Sequence, residues 1–235
     1  MRCAILGMGV TGQSMARHLR AQGIDCRGFD ERGGAGMTAD VTIGPFDADL
    51  LAGFDRVLLS PGIAWDHPVL QELRARHEAS GRPELLSDLD LFGEQYRGRL
   101  LAVTGTNGKT TVSHLLGVLL ETLDGGVEVA GNIGQPMLDL LSERHLSPRV
   151  VLELSSFQLQ RSRPLHVDWA ALLNLQEDHL DHHGSAEAYL EAKQRLFRCQ
   201  REGDYALLPR EERFDALAGE LAARGVVVRR FGEGA

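Results

Sequence analysis

The sequence predicts an α/β protein made of two successive parallel-sheet domains, the first Rossmann-like and the second of the P-loop type. Two observations carry this. Short apolar runs alternate with helical patterns from the first residue onward, as strands do when crossover helices join them. In addition, two glycine-rich turns, Gly7-Met8-Gly9-Val10-Thr11-Gly12 and Gly105-Thr106-Asn107-Gly108-Lys109-Thr110, each lie between a predicted strand and a predicted helix. Such turns gather backbone N–H groups at a helix N-terminus, where phosphate is favoured.

In the first half, Cys3–Leu6 reads as a strand, and a helix follows the glycine turn from about Gln13 to Gln22. A second strand, Asp25–Phe29, ends on Asp30-Glu31-Arg32, which completes a G-x-G-x-x-G arrangement with an acidic residue near the expected distance. The glycines specify a pyrophosphate and leave open which nucleotide carries it, NAD and FAD included. Gly33–Gly36 is a loop, and Val41–Ile43 and Arg56–Leu59 are strands, the latter closed by Ser60-Pro61-Gly62. A helix over Pro68–His77, a strand at Leu85-Leu86 and a helix over Asp88–Tyr96 complete the unit. Arg97-Gly98-Arg99 marks the break, and the domains are placed at 1–93 and 94–235.

The second half opens on the apolar run Leu100–Val103. Gly105 and Gly108 free the backbone to turn tightly, and Val112, Leu115, Leu116, Leu119 and Leu120 recur at helical spacing directly after. The longer G-x-x-x-x-G-K-[ST] pattern fails, because its first glycine falls on Val103. The tighter form still brings the Lys109 ammonium and the loop amides to one point. Gly105, Thr106, Asn107, Gly108, Lys109, Thr110 and Thr111 are therefore the expected ATP site, with the Thr110 hydroxyl a ligand for Mg²⁺.

Val127–Ala130 is the next strand, followed by Gly131-Asn132-Ile133-Gly134 and a helix begun by Pro136. Arg149–Leu154 reads as a strand buried on both faces, with Glu153 at its carboxyl end, where a carboxylate can hold the Mg²⁺ of ATP. Trp169–Leu175 is another strand, and three histidines and three acids follow it between Glu177 and His183. Zinc is disfavoured, since neither a fourth ligand at zinc spacing nor H-E-x-x-H is present. A mixed oxygen and nitrogen site for a second Mg²⁺ or Mn²⁺ fits better, with His179 as its imidazole, while His182 and His183 face solvent or substrate. Ser185 N-caps a helix to about Cys199. Tyr205–Leu208 and Val226–Phe231 close the sheet, with a helix from about Glu211 to Arg224 between them.

Composition is that of a water-soluble globular protein, with 43% hydrophobic and 25% charged residues. A net charge of −8 excludes a general nucleic-acid surface, so anionic substrates must be held by local loops and helix ends. The three cysteines, Cys3, Cys26 and Cys199, form no C-x-x-C and fit reduced thiols. With no membrane-length apolar run and a strand directly after Met1-Arg2, the expected location is the cytoplasm and the expected state a monomer.

Taken together these segments resemble the Mur ligase family, in the family's order and over essentially the whole chain. Gly-Thr-Asn-Gly-Lys-Thr at 105–110 is similar to the family's ATP loop in its shortened form. Asp178-His179-Leu180-Asp181 followed by Ala188-Tyr189-Leu190-Glu191-Ala192-Lys193 is similar to its metal and lysine segment. Within the family, Gly7–Gly12 and Glu153-Leu154-Ser155-Ser156-Phe157-Gln158-Leu159 most resemble the D-glutamate-adding branch. The alanine-, diaminopimelate- and D-Ala-D-Ala-adding ligases match those two segments less well.

The resemblance implies an ATP-dependent amide ligase of peptidoglycan precursor synthesis that joins D-glutamate to UDP-N-acetylmuramoyl-L-alanine through an acyl phosphate. It implies a UDP-sugar site at Gly9, Val10, Thr11, Gly12, Asp30, Arg32, Ser60, Pro61, Gly62, Asn132, Ser155 and Gln158. It further implies two Mg²⁺ sites drawn from Thr110, Glu153, His179 and Lys193, with Lys109, His179 and Lys193 catalytic. Lys193 would be N-carbamylated, although by its residues alone it reads as an exposed helix lysine. The family's third, C-terminal domain is absent from these 235 residues, so the expectation is nucleotide binding without turnover. Two other classes stay open: a nicotinamide-dependent Rossmann oxidoreductase, and a catalytically silent nucleotide-binding module.

Overall fold

The computed structural model describes residues 1–33, 40–123, 125–132, 134–141, 147–176, 178 and 180–232, without the side chains of 180 and 181. Two compact units emerge, each organised around one parallel sheet.

The first unit holds the strands β1 (Arg2–Leu6), β2 (Asp25–Asp30), β3 (Val41–Ile43), β4 (Arg56–Leu59) and β5 (Glu84–Ser87) in the order β3-β2-β1-β4-β5. Its helices are α1 (Val10–Ala21), α2 (Ala48–Ala52), α3 (Pro68–Ser80) and α4 (Asp88–Gln95). In β1, Cys3, Ala4, Ile5 and Leu6 are all fully buried, which is why this strand reads as an unbroken apolar run. Ala4, Leu6, Phe29, Val57 and Leu59 meet Leu51 of α2 and Val69, Leu70 and Leu73 of α3 in one core. Pro68 sits in the first turn of α3, where its missing N–H costs nothing, and the His67 ring caps the Val69 amide at 3.2 Å.

The second unit is a six-stranded sheet of β6 (Arg99–Thr104), β7 (Val127–Gly131), β8 (Arg149–Glu153), β9 (Trp169–Leu172), β10 (Tyr205–Pro209) and β11 (Val227–Phe231), in the order β11-β10-β9-β6-β8-β7. It carries α5 (Lys109–Leu123), and α6 (Met137–Leu140) follows β7 in the chain. Then come α7 (Ser156–Arg161), α8 (Leu180–His183), α9 (Ala186–Gln194) and α10 (Asp215–Ala223). The Ser185 cap of α9 is present, its hydroxyl accepting from the Ala188 amide at 3.1 Å.

Three departures from the sequence reading have identifiable physical causes. Helix α7 was not foreseen, yet Ser155 and Gln158 form a capping box in which each side chain accepts from the other residue's amide. Strand β9 ends at Leu172 rather than Leu175, because β6 itself ends at Thr104, which takes the Leu173 amide, and Asn174 already meets Thr106 of the loop that follows. The segment beginning at Pro136, which carries α6, groups with the first unit. Asp139 of α6 accepts from Ser14 Oγ at 2.7 Å and pairs with Arg17 at 2.6 Å, both on α1.

Among the described residues, no helix is long and apolar enough to cross a membrane. One face of the second sheet is nevertheless apolar and open. Trp169, Tyr205 and Leu207 stand exposed, as do Leu115, Leu119 and Leu123 of α5, and the Trp169 and Tyr205 rings stack at 4.1 Å. Leu101, Leu116 and these sheet residues line a trough of about 810 Å³.

Leu119→Glu and Leu207→Thr should therefore change the free energy of unfolding by no more than about 0.5 kcal/mol. Leu152→Ala in the fully buried stretch of β8 should cost about 2–5 kcal/mol. Urea titrations of the three variants measure the contrast.

Candidate nucleotide sites at two sheet edges

A parallel sheet delivers every strand's carboxyl end to one edge, and ligands bind where consecutive connections leave in opposite directions. In the first sheet β1 lies between β2 and β4, so the turn after β1 occupies that position. Gly7 adopts φ +84°, and its amide donates to Phe29 O at 2.8 Å. The Met8 amide donates to Asp30 Oδ2 at 2.7 Å, while Asp30 Oδ1 accepts from Arg32 and Gly33 amides at 3.0 and 3.2 Å. Burial pushes the Asp30 carboxyl up, but these three amides outweigh it and hold the group below its ordinary value. Asp30 therefore shapes the turn with both of its oxygens.

The glycines divide the labour. A Cβ on Gly12 would lie 2.0 Å from Gly7 O, so Gly12 lets α1 start hard against the turn. A Cβ on Gly9 would meet nothing within 4 Å, so the protein itself does not require glycine there. Gly9 is also the N-cap of α1 with no capping side chain, leaving first-turn amides open to a ligand. Val10 is exposed, Thr11 half-buried and Arg32 exposed. Ser60, buried, follows the neighbouring strand β4 and comes within 3.0 Å of where a Gly7 Cβ would be, with Pro61 and exposed Gly62 after it.

In the second sheet the corresponding position is the loop after β6, flanked by β9 and β8. Gly108, Thr110 and Thr111 are exposed at the head of α5, whose first amides have no partner within the helix. Lys109 folds back, its Nζ donating to Gly105 O at 3.0 Å and Thr106 O at 2.8 Å. Asn174, Gln176 and Tyr189 hold the loop from the side of β9 and α9; the sequence reading assigned none of them a role. Only strand order shows that 174 and 176 stand beside 105–107, so no local motif could have found them.

Glu153 ends β8 next to this loop, in register with Val103. It is 1% exposed; its Oε1 accepts from Asn132 Nδ2 at 3.1 Å and its Oε2 has no hydrogen-bond partner among the described residues. A buried carboxylate oxygen without a donor, near a phosphate loop and an exposed Thr110 hydroxyl, suits a hard cation such as Mg²⁺. Ser155 and Gln158 are engaged in the α7 cap, and Asn132 also donates its amide to Glu153 O at 2.8 Å.

Lys193 is not the exposed lysine its residue pattern suggested: it is 1% exposed. Its Nζ donates to Gly105 O at 2.9 Å and sits 4.4 Å from the Tyr189 ring centre. Burial and then the nearby Lys109 charge bring its pKa down to about 7, against a smaller opposing effect of Asp178. His183 is likewise buried, not solvated, with Nε2 3.0 Å from Ser156 Oγ. His182 is half-buried, 3.2 Å from Gln160 Oε1, with its ring 4.3 Å from that of Phe157. His179 lies outside the described residues.

Residues 103–235 match the Mur ligase middle domain, and residues 1–79 the MurD-like N-terminal domain of Mur ligases. The chain belongs to the Mur ligase family. This Mur ligase chain is 41% identical to UDP-N-acetylmuramoylalanine–D-glutamate ligase of Chromohalobacter salexigens over 84% of its own length and 45% of the relative's. It is 39% identical to the enzyme of that name from Marinobacter nauticus over the same shares. The chain thus spans about half the length of the curated relatives it matches. In fold it is similar to the UDP-N-acetylmuramate:L-alanyl-γ-D-glutamyl-meso-diaminopimelate ligase of Neisseria meningitides, with TM-score 0.62, 20% identity, and coverage of 99% of this chain and 78% of that one. Membership of this family displaces the nicotinamide oxidoreductase reading of Gly7–Gly12.

The buried Lys193 gives this Mur ligase a pH signature. Unfolded, its amine has the ordinary pKa of 10.5; folded, about 7. Between those values the unfolded chain binds more protons, so Lys193 makes stability rise with pH from about 7 toward 10.5, the burial penalty being full below 7. Lys193→Met should flatten that rise, as urea unfolding at several pH values between neutrality and pH 9.5 can measure.

Proposed function

We propose that the chain forms the UDP-sugar- and ATP-binding part of a ligase that joins D-glutamate to UDP-N-acetylmuramoyl-L-alanine. The observation that carries this is the pairing of two phosphate-ready helix N-termini, one per sheet, with the half-satisfied buried carboxylate of Glu153 beside the second. The name shared by the most similar relatives supplies the substrate identity.

The UDP pyrophosphate rests on the α1 N-terminus, with Gly9, Val10 and Thr11 in front of it and Ser60-Pro61-Gly62 alongside. Asp30 holds this turn, and Arg32 stands toward the uridine. ATP occupies Gly105–Thr111, where Lys109 exchanges the carbonyls of Gly105 and Thr106 for phosphate oxygens. The γ-phosphoryl moves to the alanyl carboxylate, giving an acyl phosphate and ADP. The D-glutamate amine then attacks the carbonyl carbon, phosphate leaves with the bonding electron pair, and the amine gives up a proton. Positioned charge, without a side-chain nucleophile, carries both steps.

Thr110 and Glu153 would hold one Mg²⁺, and His179 and Lys193 a second. Bound there, such ions would supply positive charge to offset that on the transferring phosphoryl group. Asn132 orients Glu153, and Ser155 and Gln158 fix the start of α7 beside it. Lys193 is suited to carbamylation: its low pKa leaves part of the amine neutral near pH 7, as attack on CO₂ requires, and loss of a proton then gives the carbamate.

Gly9→Val should weaken UDP binding at least about tenfold in calorimetry while leaving ADP binding unchanged, because the added side chain fills only the open space before α1. Lys109→Ala should do the reverse. Loss of both ligands in either variant would contradict two independent sites. Incubation with bicarbonate and Mg²⁺ should add the mass of one CO₂ to the native protein and none to Lys193→Met. Absence of that increment would count against the carbamate.

A further inference from the structure

The loop Gly105–Lys109 does not hold its own shape. Gly105 has φ +156°, and a Cβ there would come within 3.1 Å of Leu173 Cβ, so the loop lies hard against the segment that leaves β9. That segment continues the β6–β9 ladder past the strand ends: Leu173 N donates to Thr104 O at 2.9 Å and Thr106 N to Asn174 O at 3.1 Å. The Asn174 carboxamide then uses both ends. Its Oδ1 accepts from the amides of Thr106 at 3.1 Å and Asn107 at 2.9 Å, and its Nδ2 donates to Asn107 O at 2.9 Å.

We propose that Asn174 is the positioning residue of the phosphate loop, turning the Thr106 and Asn107 amides away from the nucleotide so that the donors facing it begin at Gly108. This rests on the nucleotide reading of Gly105–Thr111. Neighbouring contacts extend the clamp. Gln176 N donates to Thr106 Oγ1 at 3.0 Å, Asn107 Nδ2 donates to Gln176 Oε1 at 2.8 Å, and the Tyr189 hydroxyl is 3.1 Å from Thr106 Oγ1. Lys193, on the same helix as Tyr189, binds Gly105 O. The loop is thus joined to the 174–176 segment and to α9, and only its α5 side is left for phosphate. Without the clamp, the Asn107 amide and carbonyl lose their partners, the Thr106 amide keeps only the main-chain oxygen of residue 174, and the loop no longer presents aligned donors before the nucleotide arrives.

The chemistry requires asparagine. Alanine supplies neither acceptor nor donor. Aspartate can accept from both amides but, ionised, sets an oxygen against Asn107 O where Nδ2 now donates. A protonated aspartate restores that donor.

The test uses the 235-residue chain, a fluorescent N-methylanthraniloyl-ADP with Mg²⁺, and amide hydrogen exchange without nucleotide. Asn174→Ala should weaken the ADP analogue by about tenfold with UDP affinity and melting temperature unchanged. The Asn107 amide should exchange faster in it, whereas the Thr106 amide keeps the main-chain oxygen of residue 174. Asn174→Asp should bind weakly at neutral pH and regain affinity relative to wild type as the pH falls through its carboxyl range. A residue that served folding alone would show neither the selectivity nor the pH-dependent rescue. ADP-analogue affinity within about twofold of wild type in Asn174→Ala, a flat pH ratio in Asn174→Asp, or unchanged exchange at 107 would overturn the proposal. If Asn174→Ala does not fold, the Asn174→Asp profile decides alone. If the wild-type chain shows no Lys109-dependent binding of the analogue, the nucleotide reading fails, while exchange at 107 still judges the clamp.

Discussion

Everything functional in this chain depends on how a parallel sheet ends. Inside the sheet each backbone amide has a partner one strand away; at the carboxyl edge the ladder stops and the outgoing chain must find other acceptors. Both sheets solve this with one short polar side chain from the neighbouring strand. Asp30, at the end of β2, takes the Met8 amide of the turn after β1. Asn174, just past β9, takes the Thr106 and Asn107 amides of the loop after β6. In each case the helix that follows starts in a fixed place with its first amides outward, and the proposed anion site would be a consequence of that anchoring.

The architecture was largely legible in the sequence because strand burial writes itself as unbroken apolar runs. Leu100–Val103 and Val150–Leu152 are buried on both faces, and both were read as strands. The two glycine turns were legible for a similar reason, since few residues tolerate φ +84° at Gly7 or the contact of Gly12 with Gly7 O. What escaped was set by neighbours remote in sequence. The grouping of α6 with the first unit rests on Asp139 meeting Ser14 and Arg17, over a hundred positions away. Burial of Lys193 follows from the carbonyl of Gly105, which no helical periodicity can announce. Helix α7 is a different matter: its Ser155-x-x-Gln158 capping box stands in the sequence, but the helix it opens is only six residues long.

The second sheet concentrates charge where burial makes charge costly. Lys109 and Lys193 both donate to the carbonyl of Gly105, so two cationic amines are held close together. The more buried of them responds with a pKa near 7. A few residues away, Glu153 keeps one carboxylate oxygen without a donor at 1% exposure. Neither arrangement favours the empty fold: an orphaned buried oxygen and a desolvated amine each cost stability. On the proposed reading both would become favourable once polyphosphate draws Lys109 outward and a divalent cation meets Glu153. Cost in the empty state together with relief in the loaded one is how a site comes to prefer its ligand over water.

The two anchors differ in one respect, and the difference follows from electrostatics. Asp30 is a carboxylate, and its three amide donors are stronger for that charge. At 174 the same reasoning would favour aspartate as a better acceptor for two amides. But under the proposed function the loop it serves must also tolerate a triphosphate, where a further negative charge at close range opposes binding in a poorly screened site. The Asn107 carbonyl adds a second demand, a donor, which only the amide nitrogen meets. A neutral carboxamide satisfies the two amides and the carbonyl together and adds no charge beside the phosphates. On this account the residue types at 30 and 174 report how much negative charge each edge must accommodate: a diphosphate at the first, a triphosphate at the second.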